Sequence, residues 1–254
     1  MKVDFATPFV AAATLWRRDR ALLIPLAGLF LFVPTFARLL LVPDMPAQLA
    51  GQASQEAMIA WTRAAAAWAT RYGAWYLVPP VLALFVTLAA SALYVARERP
   101  TLASAMTRGL RLLPRYVLAM ILVSLPIGAV LMIALAAPVL LYVLMLPVMW
   151  VFARTMLVAP VLIAEAPVGA VGAIMRSWRL TAGNGIVLTL IYAAASLAGP
   201  LVGSLFLRLE ELGGPNPVVV ALTSAAAALA AVASSLALVL AQVALYGRLA
   251  SKGT

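Results

Sequence analysis

Long apolar runs separated by short polar segments dominate the chain. A helix needs about 20 mostly apolar residues to cross the hydrocarbon core of a bilayer. Six runs reach that length: residues 21–42, 72–96, 116–136, 139–162, 186–207 and 218–246. The third and fourth runs are separated only by Ala137 and Pro138, which predicts a tight hairpin. The pattern therefore predicts an all-α polytopic membrane protein, with six transmembrane helices in a single integral membrane domain over residues 1–254.

The composition agrees with this pattern and excludes most soluble functions. Hydrophobic residues make up 65% of the chain and charged residues 10%, with a mean hydropathy of +1.07. Soluble domains carry about 45–50% apolar and about 25% charged residues. Cysteine and histidine are both absent, which excludes disulfides, thiolate or imidazole metal ligands and any triad with an imidazole base. With only 8 acidic residues and no catalytic motif, we expect no enzymatic activity, catalytic residue, metal site or cofactor.

The basic residues fall mainly on one side of the predicted spans. If the N-terminus is cytoplasmic, 14 of the 18 basic residues face the cytoplasm. The four that face outward are Arg38, Arg63, Arg71 and Arg208. The positive-inside rule favours this orientation, which predicts a multi-pass membrane protein with both termini cytoplasmic. Because the basic residues are scattered between apolar runs, membrane orientation explains the net charge of +10 better than nucleic-acid binding does.

Three segments on the predicted cytoplasmic side share a pattern. Residues 8–18, 100–112 and 167–180 each begin with proline, continue through small and apolar residues, and contain a bulky apolar residue followed by Arg near their end. Such segments favour amphipathic helices that lie in the membrane plane. Each precedes a predicted pair of spans, so the chain consists either of three duplicated helix-plus-hairpin units or of three segments that are independently amphipathic.

The predicted external segment between the first two spans also has helical features. Residues 43–71 are rich in helix-forming residues, and Trp61 and Trp68 lie seven positions apart, hence on one helical face. Tryptophan at this spacing favours an amphipathic helix at the membrane interface. A solvated linker is the alternative.

Two arginines fall within the predicted spans. Arg38 lies four residues before the end of the first span, from which its side chain can reach the headgroups, so we expect no function from it. Arg154 lies inside the fourth run, where an unpaired charge is costly. It either marks the cytoplasmic end of that span, with Glu165 capping the next in-plane helix, or forms a buried ion pair with Glu165 after a bend at Pro160.

Other residues are candidates for lipid contact and for packing. Arg residues on the in-plane helices suit anionic lipid headgroups, and tryptophan suits the depth of the headgroups. The candidates for contact with headgroups or a partner are Arg111, Arg176, Trp178 and Arg179. Gly199 and Gly203 form a GxxxG pattern in the fifth span, which favours close packing against the sixth span or a second copy.

The stretch from Arg154 to Gly183 resembles a known family. Its motifs are Arg154, Ala159-Pro160-Val161, Glu165-Ala166-Pro167, Arg176-Ser177-Trp178-Arg179-Leu180-Thr181 and Gly183. This order is similar to the signature of a bacterial family of six-helix membrane proteins, related to the glycerophosphoryl diester phosphodiesterase membrane domain and to YciC-like proteins. The resemblance implies an inner-membrane protein concerned with the envelope or its lipids. It implies no catalytic residue, because the phosphodiesterase activity belongs to a separate soluble barrel with acidic and histidine residues.

The sequence leaves two classes of function open. The first is a non-enzymatic inner-membrane protein that binds or organises lipids, anionic ones above all, or scaffolds an envelope partner. The alternative is a transport component, either a small permease or the membrane subunit of an ATP-driven transporter. Glu165-Ala166-Pro167 followed by Gly172 resembles the coupling segment of such subunits, with the glycine displaced by one residue. Lateral grooves favour the first class and a central polar cavity favours the second. The expected partners are membrane lipids, a second copy or another membrane protein.

Overall fold

The computed structural model describes residues 3–47, 54–96, 100–134, 138–213 and 216–251. In these ranges, six helical segments are long and apolar enough to cross a membrane. They are Ala6–Leu41, Gln55–Val95, Leu102–Met132, Val139–Ala164, Gly185–Leu209 and Pro217–Ala250. The prediction of an all-α six-helix membrane protein is therefore confirmed. The hairpin corner at Ala137, residues 48–53 of the external segment, and Lys2, Arg97, Arg99 and Lys252 lie outside the described residues.

The first span is a bent helix built from three pieces. Helix α1 (Ala6–Ala27) is followed by a π-helical turn (Gly28–Phe32) and by α2 (Val33–Leu41). The bend lies at Asp19, whose φ of −117° and ψ of 19° leave the helical range. The part of α1 before Asp19 contains the first predicted in-plane segment. The π-helical turn precedes Pro34, which has no N–H for a normal helical hydrogen bond.

The external segment and the second span form one continuous helix. Helix α3 (Gln55–Val95) has 41 residues and is about 60 Å long at 1.5 Å per residue. That is about twice the thickness of a hydrocarbon core. The indole N–H of Trp61 donates to the carbonyl oxygen of Pro46 at 3.3 Å, and that of Trp68 to Pro43 at 3.0 Å. The tryptophan face of α3 therefore contacts the chain that leads out of α2.

The other two amphipathic segments differ in how they join their spans. The helices that follow α3 are α4 (Leu102–Ala134), α5 (Pro138–Thr155), α6 (Val158–Ala164), α7 (Ala170–Leu180), α8 (Gly185–Gly213) and α9 (Pro217–Ala250). The second segment is the first part of α4, which continues into the third span without a break. The third segment forms the separate helix α7, because Gly183 adopts a φ of 78° in the turn before α8. The three units thus share an order of elements but not the position of their breaks.

Helix α6 is the centre of the main core. Its residues Val158, Ala159, Val161, Leu162 and Ile163 are all 0% exposed, and it contacts α3, α4, α7 and α9. A second core cluster lies between α1, α3 and α9. The main core lies near the end of the bundle that carries the exposed basic residues Arg17, Arg20, Arg111, Arg115 and Arg179. We call this the Arg-rich end.

Candidate functional site

A break between α5 and α6 organises the Arg-rich end. The Ser177 hydroxyl of α7, which is completely buried, bridges this break. Its Oγ donates to the carbonyl oxygen of Arg154 at 2.8 Å and accepts from the backbone N–H of Leu157 at 3.2 Å. A buried backbone group without a partner is costly. Ser177 therefore stabilises the break and attaches α7 to it.

Arg154 is buried beside this break, with only 7% of its surface exposed. Its Nη2 donates to the carbonyl oxygen of Trp178 at 2.7 Å. The guanidinium carbon lies 4.9 Å from the Trp178 ring centroid and 5.8 Å from that of Trp150. The two rings meet edge to face at 88°. Gly185 leaves room for this cluster, because a Cβ there would lie 2.8 Å from Nε1 of Trp150. Cation–π contacts and one hydrogen bond thus stabilise the buried guanidinium group without neutralising its charge, and its Nε has no hydrogen-bond partner among the described residues.

Glu165 is held by a different arginine. The Nε of Arg176 donates to both carboxylate oxygens of Glu165, at 2.9 and 3.0 Å. The Tyr246 hydroxyl donates to Oε1 of the same carboxylate at 3.2 Å. The Arg176 and Glu165 side chains are 31% and 28% exposed, so the ion pair is accessible to water in part. Through these contacts the chain after α6 is linked to both α7 and α9.

This arrangement shows that the predicted pairing of Arg154 with Glu165 is wrong. Glu165 binds Arg176, and Arg154 binds the backbone and ring of Trp178. The physical reason is the position of α7, which the Ser177 bridge fixes across the end of α5. The other alternative also differs from the structure in one respect. Helix α7 begins after Gly169, so Glu165 lies too far upstream to be its N-cap residue.

A double-mutant cycle tests which arginine is the partner of Glu165. We expect Glu165→Gln and Arg176→Gln to be non-additive in the free energy of unfolding, because each removes the same ion pair. Glu165→Gln and Arg154→Met should add within about 0.5 kcal/mol, as independent sites do. The measurement is reversible unfolding of the purified protein in detergent micelles. A larger coupling for Arg154 than for Arg176 would contradict the arrangement.

The four predicted headgroup residues separate into an exposed pair and an internal pair. Arg111 and Arg179 are exposed at the Arg-rich end. Arg176 and Trp178 are half-buried, the first in the ion pair with Glu165 and the second against Arg154. The structure therefore favours Arg111 and Arg179 for contact with lipid, and Arg176 and Trp178 for the attachment of α7.

Sequence analysis missed a further arginine contact. The Nη2 of Arg108 in α4 donates to the carbonyl oxygen of Ile163 at 2.8 Å. Ile163 lies in the last turn of α6, where backbone carbonyls have no helical partner. The two residues are 55 positions apart, and the contact requires α6 to end at Ala164. No local sequence signal identifies it.

Gly199 and Gly203 lie where α8 packs against α9. A Cβ at position 199 would lie 2.6 Å from Cβ of Ser234 and 2.8 Å from the carbonyl oxygen of Ala230. At position 203 the nearest atom would be the carbonyl oxygen of Ala227, at an ordinary 3.5 Å. The structure thus brings the fifth and sixth spans of one chain together, and the close approach depends on Gly199.

An apolar cavity of about 610 Å³ lies in the angle of the bent first helix, with α9 as its third wall. We call it the lateral groove. Its lining residues are Phe9, Ala12, Ala13, Trp16, Ile24, Ala27, Gly28, Phe32, Leu229, Val232, Ala233, Leu236, Ala237 and Leu240. None of them is charged. Ala13, Ile24, Leu229 and Ala233 are exposed, so the groove opens to the surface of the bundle. Trp16 lies directly before the exposed Arg17.

The comparisons with known proteins do not assign the site. Among the described residues, no three carboxylate, imidazole or thiol side chains come close enough together to hold a metal ion. No protein-family model, curated protein or solved structure matches the chain at a significant level. The resemblance of residues 154–183 to a six-helix family therefore stays a prediction, whereas the six apolar helices support an integral membrane protein.

Proposed function

We propose that this is a non-enzymatic membrane protein that binds phospholipid, preferably anionic, in the lateral groove. The observation that carries the proposal is the groove itself: an apolar cavity of about 610 Å³ that opens to the surface of a membrane-spanning bundle. Ligand sites commonly measure about 300–1,000 Å³ and have mainly apolar walls. In a bilayer, the apolar groups available to such a groove are the acyl chains of lipids.

The charges beside the groove suit an anionic headgroup. Arg17, Arg18 and Arg20 follow Trp16, which lines the groove, and all three are exposed. Arg18 is paired with Asp19 at 2.8 Å. Arg17 and Arg20 make no ion pair with any residue that the structure describes, so their charges are available to a phosphate group. Arginine binds phosphate through a planar fork of donors.

The same arginines support a proposed orientation in the membrane. The positive-inside rule predicts that the Arg-rich end lies in the cytoplasm, and we propose the bacterial inner membrane as the location. The lipid would then belong to the cytoplasmic leaflet. An outward-opening apolar groove supports lipid binding more than transport, the alternative that a central polar cavity would favour. Glu165 of the segment that resembles a coupling region is engaged by Arg176 and Tyr246 within the chain.

Filling the groove should displace the lipid. We expect Ala233→Trp to lower the phospholipid that copurifies with the protein by about one molecule per chain, because the groove has the volume of a single ligand site. The control is Ala194→Trp, the same change at an exposed position of α8 that does not line the groove. Lipid is quantified by mass spectrometry after purification in native lipid particles. Equal retention by both variants would overturn the proposal.

Charge removal provides a second arm of the same experiment. The double variant Arg17→Gln with Arg20→Gln should lower the preference of the retained lipid for phosphatidylglycerol over phosphatidylcholine by about tenfold or more. This expectation follows from roughly 1 kcal/mol for each basic residue near an anionic surface. Arg63→Gln, at the opposite end of the bundle, is the control. An unchanged preference in the double variant would show that the groove does not select for charge.

A further inference from the structure

A second cavity lies at the other end of the first span. It measures about 490 Å³ and lies between α2 with the preceding π-helical turn, α3 and α9. Unlike the lateral groove, it has polar side chains in its wall, namely Thr35, Arg38, Tyr76 and Ser235. Arg38 lies three residues before the end of α2, and therefore close to one surface of the membrane. We call this second cavity the Arg38 cavity.

Arg38 has a fixed position in this cavity. Its guanidinium carbon lies 5.0 Å from the centroid of the Tyr76 ring, and the residue is only partly exposed. It forms no ion pair with any described residue. A cation–π contact orients a guanidinium group but does not neutralise its charge. The cavity wall therefore carries a positioned positive charge without a counter-charge from any residue that the structure describes.

Two hydroxyl groups in the same wall also have no partner among the described residues. Most hydroxyls in the helices of this chain donate to a carbonyl three or four residues earlier, as Thr87, Ser91 and Thr189 do. Thr35 and Ser235 make no such bond, nor any other side-chain hydrogen bond within the described ranges. Together with Arg38, they supply three donor groups from α2 and α9 to one cavity. A guanidinium group together with two hydroxyl groups that have no bond to a described residue is suited to an anion.

We propose that the Arg38 cavity binds a phosphate group. The phosphate belongs either to a lipid headgroup in the leaflet at this end of the bundle or to a phosphate ester dissolved in the adjacent water. Arg38 would bind the phosphate oxygens, Thr35 and Ser235 would donate to them, and Tyr76 would hold the guanidinium group in place. This site differs from the lateral groove in its lining: Val232 lines both cavities, but Thr35, Arg38, Tyr76 and Ser235 line this one alone.

The experiment uses the full chain in nanodiscs of defined composition. In the first arm, the protein is placed in phosphatidylcholine alone and titrated with inorganic phosphate. In the second arm, phosphatidylglycerol is added to the nanodisc in steps, without free phosphate. Binding is followed by radiolabelled phosphate in the first arm and by the shift in unfolding temperature in the second. Saturable binding in either arm supports the proposal if Ala233→Trp, which fills the lateral groove, leaves it unchanged. The arm that responds identifies the source of the phosphate. Saturable binding in neither arm overturns the proposal.

Variants locate the binding in the cavity. Arg38→Gln should weaken it about tenfold or more, as expected for the loss of hydrogen bonds to a charged group. Arg71→Gln is the matched control, because Arg71 lies 5.3 Å from the Tyr72 ring in a similar cation–π contact but does not line the cavity. Equal loss in both variants would mean a general surface charge effect and would overturn the proposal.

A second variant keeps the test decisive if Arg38→Gln does not fold. The double variant Thr35→Val with Ser235→Ala retains the positive charge and removes two neutral donors. It should weaken binding about fivefold or more, since each neutral hydrogen bond contributes about 0.5–1.5 kcal/mol. Unchanged binding in this variant would show that the anion is attracted by charge alone, and the proposed cavity site would be wrong.

Discussion

Replacing Ser177 by alanine should lower the free energy of unfolding by about 2–4 kcal/mol. The hydroxyl group is the partner of a backbone carbonyl on one side of the α5–α6 break and of a backbone N–H on the other. Leaving a buried donor or acceptor unsatisfied costs about 1–3 kcal/mol for each group. The substitution orphans the Leu157 N–H fully, while the Arg154 carbonyl retains a weaker bond from Thr181 at 3.3 Å.

Ser91→Ala is the matched control for this prediction. Ser91 is equally buried, but its hydroxyl donates to the carbonyl of Thr87 inside continuous helix α3. That carbonyl also accepts a regular helical hydrogen bond. Removing the Ser91 hydroxyl should therefore lower the free energy of unfolding by less than about 1 kcal/mol. Both variants are measured by reversible unfolding in the same detergent. Equal destabilisation would mean that Ser177 contributes only as a small buried side chain.

Gly199→Ala should destabilise the protein by about 1–3 kcal/mol, although alanine is the better helix former. The added methyl group would lie 2.8 Å from the carbonyl oxygen of Ala230 and 3.0 Å from Cα of Ala231. Both are backbone atoms of α9, so the two helices must move apart. The unfolding midpoint in detergent measures the effect.

Gly203→Ala provides the comparison within the same helix. The same substitution there meets atoms of Ala227 at no less than 3.5 Å, an ordinary contact distance. We expect stability unchanged or raised by up to about 1 kcal/mol, because alanine stabilises the helix. If Gly199→Ala were as harmless as Gly203→Ala, the contact between α8 and α9 would be less close than the structure indicates.

The number of spans could be predicted from the sequence because it depends on a local property. A run of about 20 apolar residues is long enough to cross a bilayer whatever its neighbours do, and the six runs correspond to six long helices. The break between α5 and α6 is different. Pro160 predicts a bend here, because it has no N–H for the carbonyl of Met156. The group that stabilises the break, however, comes from Ser177, 20 positions beyond Leu157.

The partner of Glu165 also could not be predicted from the sequence. Arg154 and Arg176 both lie eleven positions from Glu165, one on each side. Sequence distance cannot distinguish them, and the burial of Arg154 inside an apolar run favoured it as the charge in need of a partner. The aromatic rings of Trp150 and Trp178 meet that need instead. Which rings surround a guanidinium group depends on tertiary packing.

The sequence indicates no function for Arg38, because the residues around it in the structure come from other helices. Its position near the end of a span is sufficient to explain a snorkelling side chain. The features that distinguish it are its contact with Tyr76 and the shared cavity with Ser235, from two other helices. Thr35, one turn before Arg38, is the only one of these partners close to it in sequence.

The Ser177 bridge also has a consequence for biosynthesis. During translation, residues 139–164 are added to the chain before Ser177. Until then the break has no hydroxyl group to satisfy its backbone, and a continuous helix is the conformation that satisfies these groups locally. At 26 residues such a helix would be about 39 Å long. We therefore expect the fourth span to form first as one helix, bent at Pro160, from which α6 separates only after α7 has been made.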